Sequence, residues 1–537
     1  MSFSLLNRYA FFALCVLAVL VTLPLLAHHP ALWPLTTIAS ALTLVGLNDL
    51  RQRRHAVRRN YPVLGNIRYL VEAIRPEIRQ YLLEGDQEAL PFSRAQRSLV
   101  YARAKGESSD KAFGTLLDVY ETGFEFISHS LQPAMSGKSA DFRITVGGPQ
   151  CRQPYSASIF NISAMSFGAL SANAIRALNQ GAKKGGFAHD TGEGSISPYH
   201  RESGGDLIWE IGSGYFGCRD PFGNFDESRF ASQAREPQVK MIEVKLSQGA
   251  KPGRGGVLPG DKVSPEIAST RGVPVGVDCV SPARHSAFST PVELMRFIAR
   301  LRELSDGKPV GFKLCLGHRW EFMAIAKAML ETGILPDFIV VDGKEGGTGA
   351  APVEFTDHIG LPMREGLLFV HNTLVGLNLR DKIKIGVSGK IISAFDIVRV
   401  LAMGADWANS ARGFMFAVGC IQSQSCHTNQ CPTGVATQDP LRQRALVVPD
   451  KAERVYNFHH RTLQAVSEML ATAGLDQPQQ LRPHHLVRRV SSSEVKLFSE
   501  LHYYCRPGEL LDGEAGSRFY TKMWRLAQAD TFSPAEL

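Results

Sequence analysis

Three of the nine cysteines, Cys420, Cys426 and Cys431, fall inside GCIQSQSCHTNQCPTGVATQDP (419–440), and the other six are scattered. Thiolates separated by five and then four residues on one loop can converge on a single soft metal centre, iron or zinc. The gaps are unlike the paired two-residue spacings of zinc ribbons, and no fourth cysteine stands nearby. A redox cluster held by three protein ligands, such as [3Fe-4S], therefore fits better than a four-cysteine cluster. Two alternatives remain: a zinc site completed by His427, or three unmetallated buried thiols.

Other stretches carry anion-binding chemistry. SQGAKPGRGGVLPG (247–260) sets Lys251 and Arg254 among glycines and prolines. That composition suits an anion-binding concavity or a solvent-exposed Ω-loop. Arg271, further along, offers a guanidinium fork for a carboxylate. SGK (388–390) and SARG (410–413) combine small residues with Lys390 and Arg412, so their amides can approach a phosphate closely. DGKEGGTGA (342–350) either shapes the same pocket or only turns the chain. His285 and His371 are further candidates for a proton role. The pairs His459, His460 and His484, His485 read as structural or surface residues, because neighbouring side chains diverge on a helix.

These loops need a scaffold that gathers them. After Pro149 short apolar or β-branched runs alternate with longer helical segments, the signature of a parallel sheet. The runs are 158–163, 186–189, 241–245, 275–280, 310–314, 338–342, 383–387 and 407–410. Eight such units over about 270 residues predict a (β/α)8 TIM barrel; a doubly wound sheet is the alternative. In a barrel the ends of these runs share one face, where Ser163, Ala164, Met165, Ser166, Glu193, Lys313, Gly389, Lys390, Ala411 and Arg412 would meet. The loop 247–260 follows the third run in this scheme.

The 537 residues, 44% hydrophobic, exclude a disordered chain, and sparse cysteines exclude a disulfide framework. The formal charge of +8 is concentrated near the first apolar region, which points to anionic lipid or substrate and not to nucleic acid. YAFFALCVLAVLVTLPLLA (9–27) and a second apolar stretch (31–47) predict a two-helix membrane anchor over 1–50. A cleaved signal peptide is the alternative. The arginine-rich flank 50–59 places the catalytic region on the cytoplasmic side. The expected organisation continues with a basic flank and mostly helical connecting region (51–150), the barrel with its cysteine loop (151–440) and a helical extension (441–537). Leu70, Ile74 and Ile78 lie at one-face spacing, and Val455, Phe458, Leu463, Val466 and Leu470 form a packing face.

SAMSFGALS (163–171), TGEG (191–194), IEVKLSQGAKPGRGGVLPG (242–260), KVSPEIA (262–268), GGTGA (346–350), VHNTLVGLNLRDKI (370–383) and CHTNQCPTGVATQD (426–439) occur in this order. Together they resemble the FMN-binding synthase region of glutamate synthase, over about 155–440. The resemblance implies FMN on the C-terminal face of the barrel and a [3Fe-4S] cluster on Cys420, Cys426 and Cys431 that delivers electrons to it. It implies that residues 163–166 border the flavin, that Lys313 lies near its pyrimidine edge, and that Gly389, Lys390, Ala411 and Arg412 hold its phosphate. Lys251 and Arg271 match positions that bind the carboxylates of 2-oxoglutarate, and Glu193 a loop glutamate on the ammonia route. The glutaminase region of the large enzymes has no counterpart, so a separate glutaminase or ammonia itself is the expected nitrogen source. Ferredoxin or a reductase subunit is the expected electron donor. Arg254 stands where the family has an acid and Val257 where it has a glutamine. Two alternatives follow, an enzyme making an N-substituted glutamate and a membrane-bound electron-transfer module.

Overall fold

Eight short strands, buried through most of their length, run parallel and close on themselves, because each must cover both its inward and its helix-facing side. In chain order they are β1 Phe160–Ile162, β2 His189–Asp190, β3 Leu207–Ile211, β4 Val239–Lys245, β5 Val310–Leu314, β6 Phe338–Asp342, β7 Lys384–Ser388 and β8 Trp407–Ser410. β8 returns to β1 with Ala408 opposite Phe160, which completes the ring. The computed structural model describes residues 3–88, 90–134, 141–512 and 516–536. The chain divides into two units, Met1–Arg94 and Ala95–Leu537.

The barrel and the strand count agree with the sequence reading, but one member differs. Within 275–280 only Cys279–Val280 is extended, and it pairs antiparallel with Val257–Leu258 outside the barrel. Val275 and Val277 are both 55% exposed. The missing strand is β3, LIWEI, all five residues of which are buried. Its Glu210 breaks an otherwise apolar run, so hydropathy alone passes it over. The loop 247–260 consequently leaves β4 and not a third strand.

The long helix Val448–Thr472 buries Val455, Phe458, Leu463, Val466 and Leu470, as their spacing requires. It lies so close to Ala172–Gly185, the helix after β1, that a Cβ on Gly181 would fall 2.6 Å from Val455 Cβ. His459 is a core residue, stacked on Phe187 at 3.8 Å between centroids with Nε2 3.0 Å from the Phe160 carbonyl. The connecting and C-terminal regions are less helical than expected. Glu125–Ile127, Leu486–Arg489 and Val495–Leu497 form a three-stranded antiparallel sheet.

In the first unit, helices Phe3–Leu25 and Trp33–Arg51 are each long and apolar enough to cross a membrane. They touch: a Cβ on Gly46 would meet the Phe12 ring at 2.2 Å. The buried carboxylate of Asp49 accepts the Val63 N–H at 3.0 Å and the Asn66 amide at 2.5 Å, which fixes the start of the helix Gly65–Ile78, beyond the short helix Ala56–Asn60. Leu70 and Ile74 of that helix, which lie at one-face spacing, are 62% and 44% exposed.

Candidate active site

Strand register sets charges inside the barrel. Glu210 on β3 lies opposite Glu243 on β4, and Lys245 on β4 opposite Lys313 on β5. Lys313 Nζ is hydrogen-bonded to Glu210 and stands 3.2 Å from Glu243 Oε1. Burial alone would lower the Lys313 pKa, but Glu210, Glu243, Asp190 and Asp342 raise it well above its ordinary value. Asp190, Glu210 and Glu243 bring carboxylate oxygens within 4.8 Å of one another, all buried. Lys313 faces these carboxylates together with Lys245, whose Nζ lies 3.8 Å from Glu210 Oε1, and like charges this close disfavour one another's ionisation. Burial, then Glu243 and Glu210, raises the Asp190 pKa well above normal, and burial together with Glu210 lifts Glu243 to about 7 against the pull of Lys313.

At the C-terminal mouth the polarity reverses. Lys245 Nζ lies 2.9 Å from Glu193 Oε2 on the β2 loop. Burial would raise Glu193, but Lys245, then Arg271 and Lys251, pull it down to about 2, so it is an anion at any ordinary pH. Its carboxylate is tightly enclosed: a Cβ on Gly256 would sit 1.8 Å from Oε1, and one on Gly212 2.7 Å from Oε2. Lys251 Nζ donates to the Ala350 carbonyl at 3.2 Å, and burial lowers its pKa. Arg271 is a loop clamp, with Nη2 donating to Phe167 O at 2.9 Å and Ser166 Oγ at 3.3 Å, and the Phe216 ring 5.3 Å from its guanidinium. Through Arg271 the 163–166 segment is fixed beside Glu193; Ser163 N also bonds Ser410 O at 3.0 Å, joining β1 to β8.

The expected phosphate loops lie beyond β7 and β8. Gly389 has φ +156° and Lys390 φ +52°. Ala411 opens the helix Arg412–Val418, and Arg412 Nη2 donates to Glu345 O at 2.5 Å. Burial, then the neighbouring Arg412, lowers Lys390, and burial brings Arg412 to about 10. Two desolvated neighbouring cations, with Asp342 and Glu345 as nearby counter-charges, form a cluster that favours an anion.

The cysteine loop is tied to this face by Lys262. Its Nζ, in a 2% exposed side chain, donates to Ala169 O at 3.0 Å, Cys426 O at 3.3 Å and Ala436 O at 3.3 Å. Burial lowers it to about 8, partly offset by Cys426 and Cys431. Gln438 Nε2 adds bonds to Gly168 O and Leu170 O at 3.0 and 2.9 Å. Cys420 Sγ accepts the Gln422 N–H at 3.4 Å. Burial would raise Cys431, but the Thr433 hydroxyl and the N–H groups of residues 433, 435 and 436 bring it below its ordinary value. His427 is exposed.

The model for the conserved region in glutamate synthase matches residues 145–476, more than half of the chain. The chain belongs to the glutamate synthase family. Glutamate synthase large subunit-like protein YerD of Bacillus subtilis (strain 168) is 37% identical over 499 residues, covering 85% of this chain and 94% of that protein. Archaeal-type glutamate synthase [NADPH] of Thermotoga neapolitana is 34% identical over 337 residues, 62% of this chain and 63% of that protein. Among solved structures, a doubly substituted flavocytochrome b2 with pyruvate bound aligns at TM-score 0.41 and 13% identity, covering 84% of this chain and 90% of that one.

In this glutamate synthase family member the sequence reading missed the charged barrel interior, namely Asp190, Glu210, Glu243 and Lys245. The signal was there in part. Glu243 and Lys245 are two apart in MIEVK (241–245), otherwise apolar, a spacing that points both to the same side. Arg254 and Val257, the departures from the family pattern, flank Gly256 beside Glu193, and the Arg254 guanidinium lies 5.6 Å from the Phe355 ring.

Proposed function

We propose that the chain is a membrane-tethered oxidoreductase that reductively aminates 2-oxoglutarate to glutamate, with FMN and a [3Fe-4S] cluster as cofactors and its barrel facing the cytoplasm. The observation that carries this reading is the convergence on one barrel face of the Glu193–Lys245 pair, the neighbouring cations Lys390 and Arg412 and the cysteine loop pinned by Lys262.

The residues fit both groups. Lys390 and Arg412 would hold the FMN phosphate, with Gly389 and Ala411 giving their amides close approach. Ser163, Ala164, Met165 and Ser166 would line the flavin, and Lys313 would face it with a proton held firmly by its acid neighbours. Cys420, Cys426 and Cys431 would hold the cluster. N–H and O–H groups directed at sulfur stabilise thiolate ligands, while the exposed His427 offers no enclosed fourth ligand. When bound, FMN supplies the hydride that reduces the imine carbon, and the cluster supplies the electrons that recharge it.

The protein's own groups bind and orient. Lys251 and Arg271 would take the two substrate carboxylates, Lys251 with ammonium hydrogens beyond its bond to Ala350 O. Glu193, ionised and enclosed, orients the incoming nitrogen at the 2-oxo carbon, and Lys245 can donate a proton to the oxygen that leaves as water. In balance, 2-oxoglutarate, ammonium, two electrons and two protons give glutamate and water. Ammonia would come from solution or from a separate glutaminase, and electrons from ferredoxin or a reductase subunit.

A second reading has the same cofactors but takes an alkylamine to give an N-substituted glutamate. It is favoured by Val257, an apolar residue next to the Gly256 that encloses Glu193. Anaerobic titration of the reduced full chain with 2-oxoglutarate plus ammonia, or plus methylamine, separates the two. Return of the oxidised flavin's visible absorbance with ammonia is the expected result. Purified chain with neither flavin nor about three irons would refute the proposal.

A further inference from the structure

We infer that Gly65–Ile78, continued by Arg79–Leu83, lies flat in the headgroup layer of an anionic membrane as an interfacial helix, a role additional to the spanning hairpin. On the α-helix Gly65–Ile78, Ile67, Leu70, Val71 and Ile74 share one face at spacings of three, four and seven, and Tyr81 and Leu82 follow on the π-helical turn Arg79–Leu83. Their exposures are 56%, 62%, 50%, 44%, 54% and 77%. A contiguous apolar stripe left in water is an interaction surface and not packing surface. The opposite face carries Arg68 and Glu72, paired at 3.0 Å, and Arg79, which reaches Glu88 at 2.8 Å.

Charge decides the occupant. Residues 51–79 hold eight arginines against two glutamates, and Arg51, Arg53, Arg54, Arg59, Arg68, Arg75 and Arg79 are exposed. A second copy of the chain docking face to face would bring two such arrays together, whereas anionic lipid headgroups neutralise them. The position also fits. The Asp49 carboxylate at the end of Trp33–Arg51 binds Val63 N and Asn66 Nδ2, so the helix begins beside the end of the second apolar helix, where a bilayer surface would be. That last point rests on the proposed membrane hairpin; the apolar face and its charge do not.

The test uses the full chain in vesicles of phosphatidylcholine and phosphatidylglycerol whose acyl chains carry bromine, a fluorescence quencher. Leu70→Trp probes the apolar face and Glu72→Trp the polar face, each read as the difference from the parent chain, with alkaline carbonate extraction reporting the anchor separately. The Leu70→Trp emission is expected to be quenched at least about threefold more strongly than that of Glu72→Trp, with weaker quenching when phosphatidylglycerol is omitted. Equal, weak quenching in a chain that resists carbonate overturns the inference and leaves the anchor standing. Strong Leu70→Trp quenching in a chain that carbonate strips off supports it and removes the anchor. Absence of quenching, with Leu70→Glu converting detergent-solubilised dimers to monomers, assigns the face to a second copy and overturns it.

Discussion

Replacing Glu243 with glutamine is expected to stabilise the barrel unit above pH 7 and to change it little near pH 5. Glu243 is 0% exposed, shares the barrel interior with Glu210, and titrates at about 7 instead of 4.5. Because its pKa is raised on folding, the folded chain keeps a proton that the unfolded chain releases. This contribution is complete below about pH 4.5 and is lost as pH rises to about 7. At about 1.36 kcal/mol per pH unit the loss is about 3 kcal/mol. Glutamine mimics the protonated acid and cannot ionise, so it avoids the loss. For a unit the size of Ala95–Leu537, about 2.1 cal/mol/K per residue gives an unfolding entropy of about 0.9 kcal/mol/K, so the effect is about 3 °C in Tm. Differential scanning fluorimetry of the parent and Glu243→Gln chains from pH 5 to 8.5 measures it. Glu210→Gln is the contrast, because it removes the hydrogen-bonded partner of Lys313 and should cost about 3–5 kcal/mol. A Tm difference for Glu243→Gln that stays flat with pH, or is largest at the acid end, would refute the reasoning.

Three further outcomes are expected. Gly249→Ala sets a Cβ 1.6 Å from the Gly343 carbonyl, a clash of backbone with no side chain to yield, and should lower stability by about 3 kcal/mol or more in thermal or denaturant unfolding. Glu193→Gln should retain flavin and fold yet slow flavin reoxidation by 2-oxoglutarate and ammonia by about 100-fold or more; since Glu193 is held at about 2, the parent's rate profile should show no titration from it between pH 5 and 9. Cys426→Ser should reduce bound iron from about three per chain to below about one while leaving flavin bound, and retained iron would count against the ligand assignment.

Much of this molecule is written locally. Runs such as Phe338–Asp342 and Lys384–Ser388 declare themselves because a parallel strand buried on both sides must be apolar along its length, and the glycine-rich loops follow from where those runs stop. The cysteine spacing is a property of one loop, and so is the long apolar first helix. Helix Val448–Thr472 was legible for the same reason, since its packing stripe is a matter of period. The sequence reading took VGVDCV and passed over LIWEI as a barrel strand, because the cost of burying Glu210 depends on Lys313, a hundred residues away. Only the pairing of β3, β4 and β5 supplies that ammonium, and with it the crowding that raises Glu243, while the loop after β2 brings Glu193 to Lys245, which holds it ionised. Arg271 and the Gly65–Ile78 helix make the same point. Type and spacing fix what a guanidinium or an apolar stripe can bind, but the tertiary structure anchors one through Nη2 on Phe167 O while leaving its buried Nε unpartnered, and leaves the other uncovered.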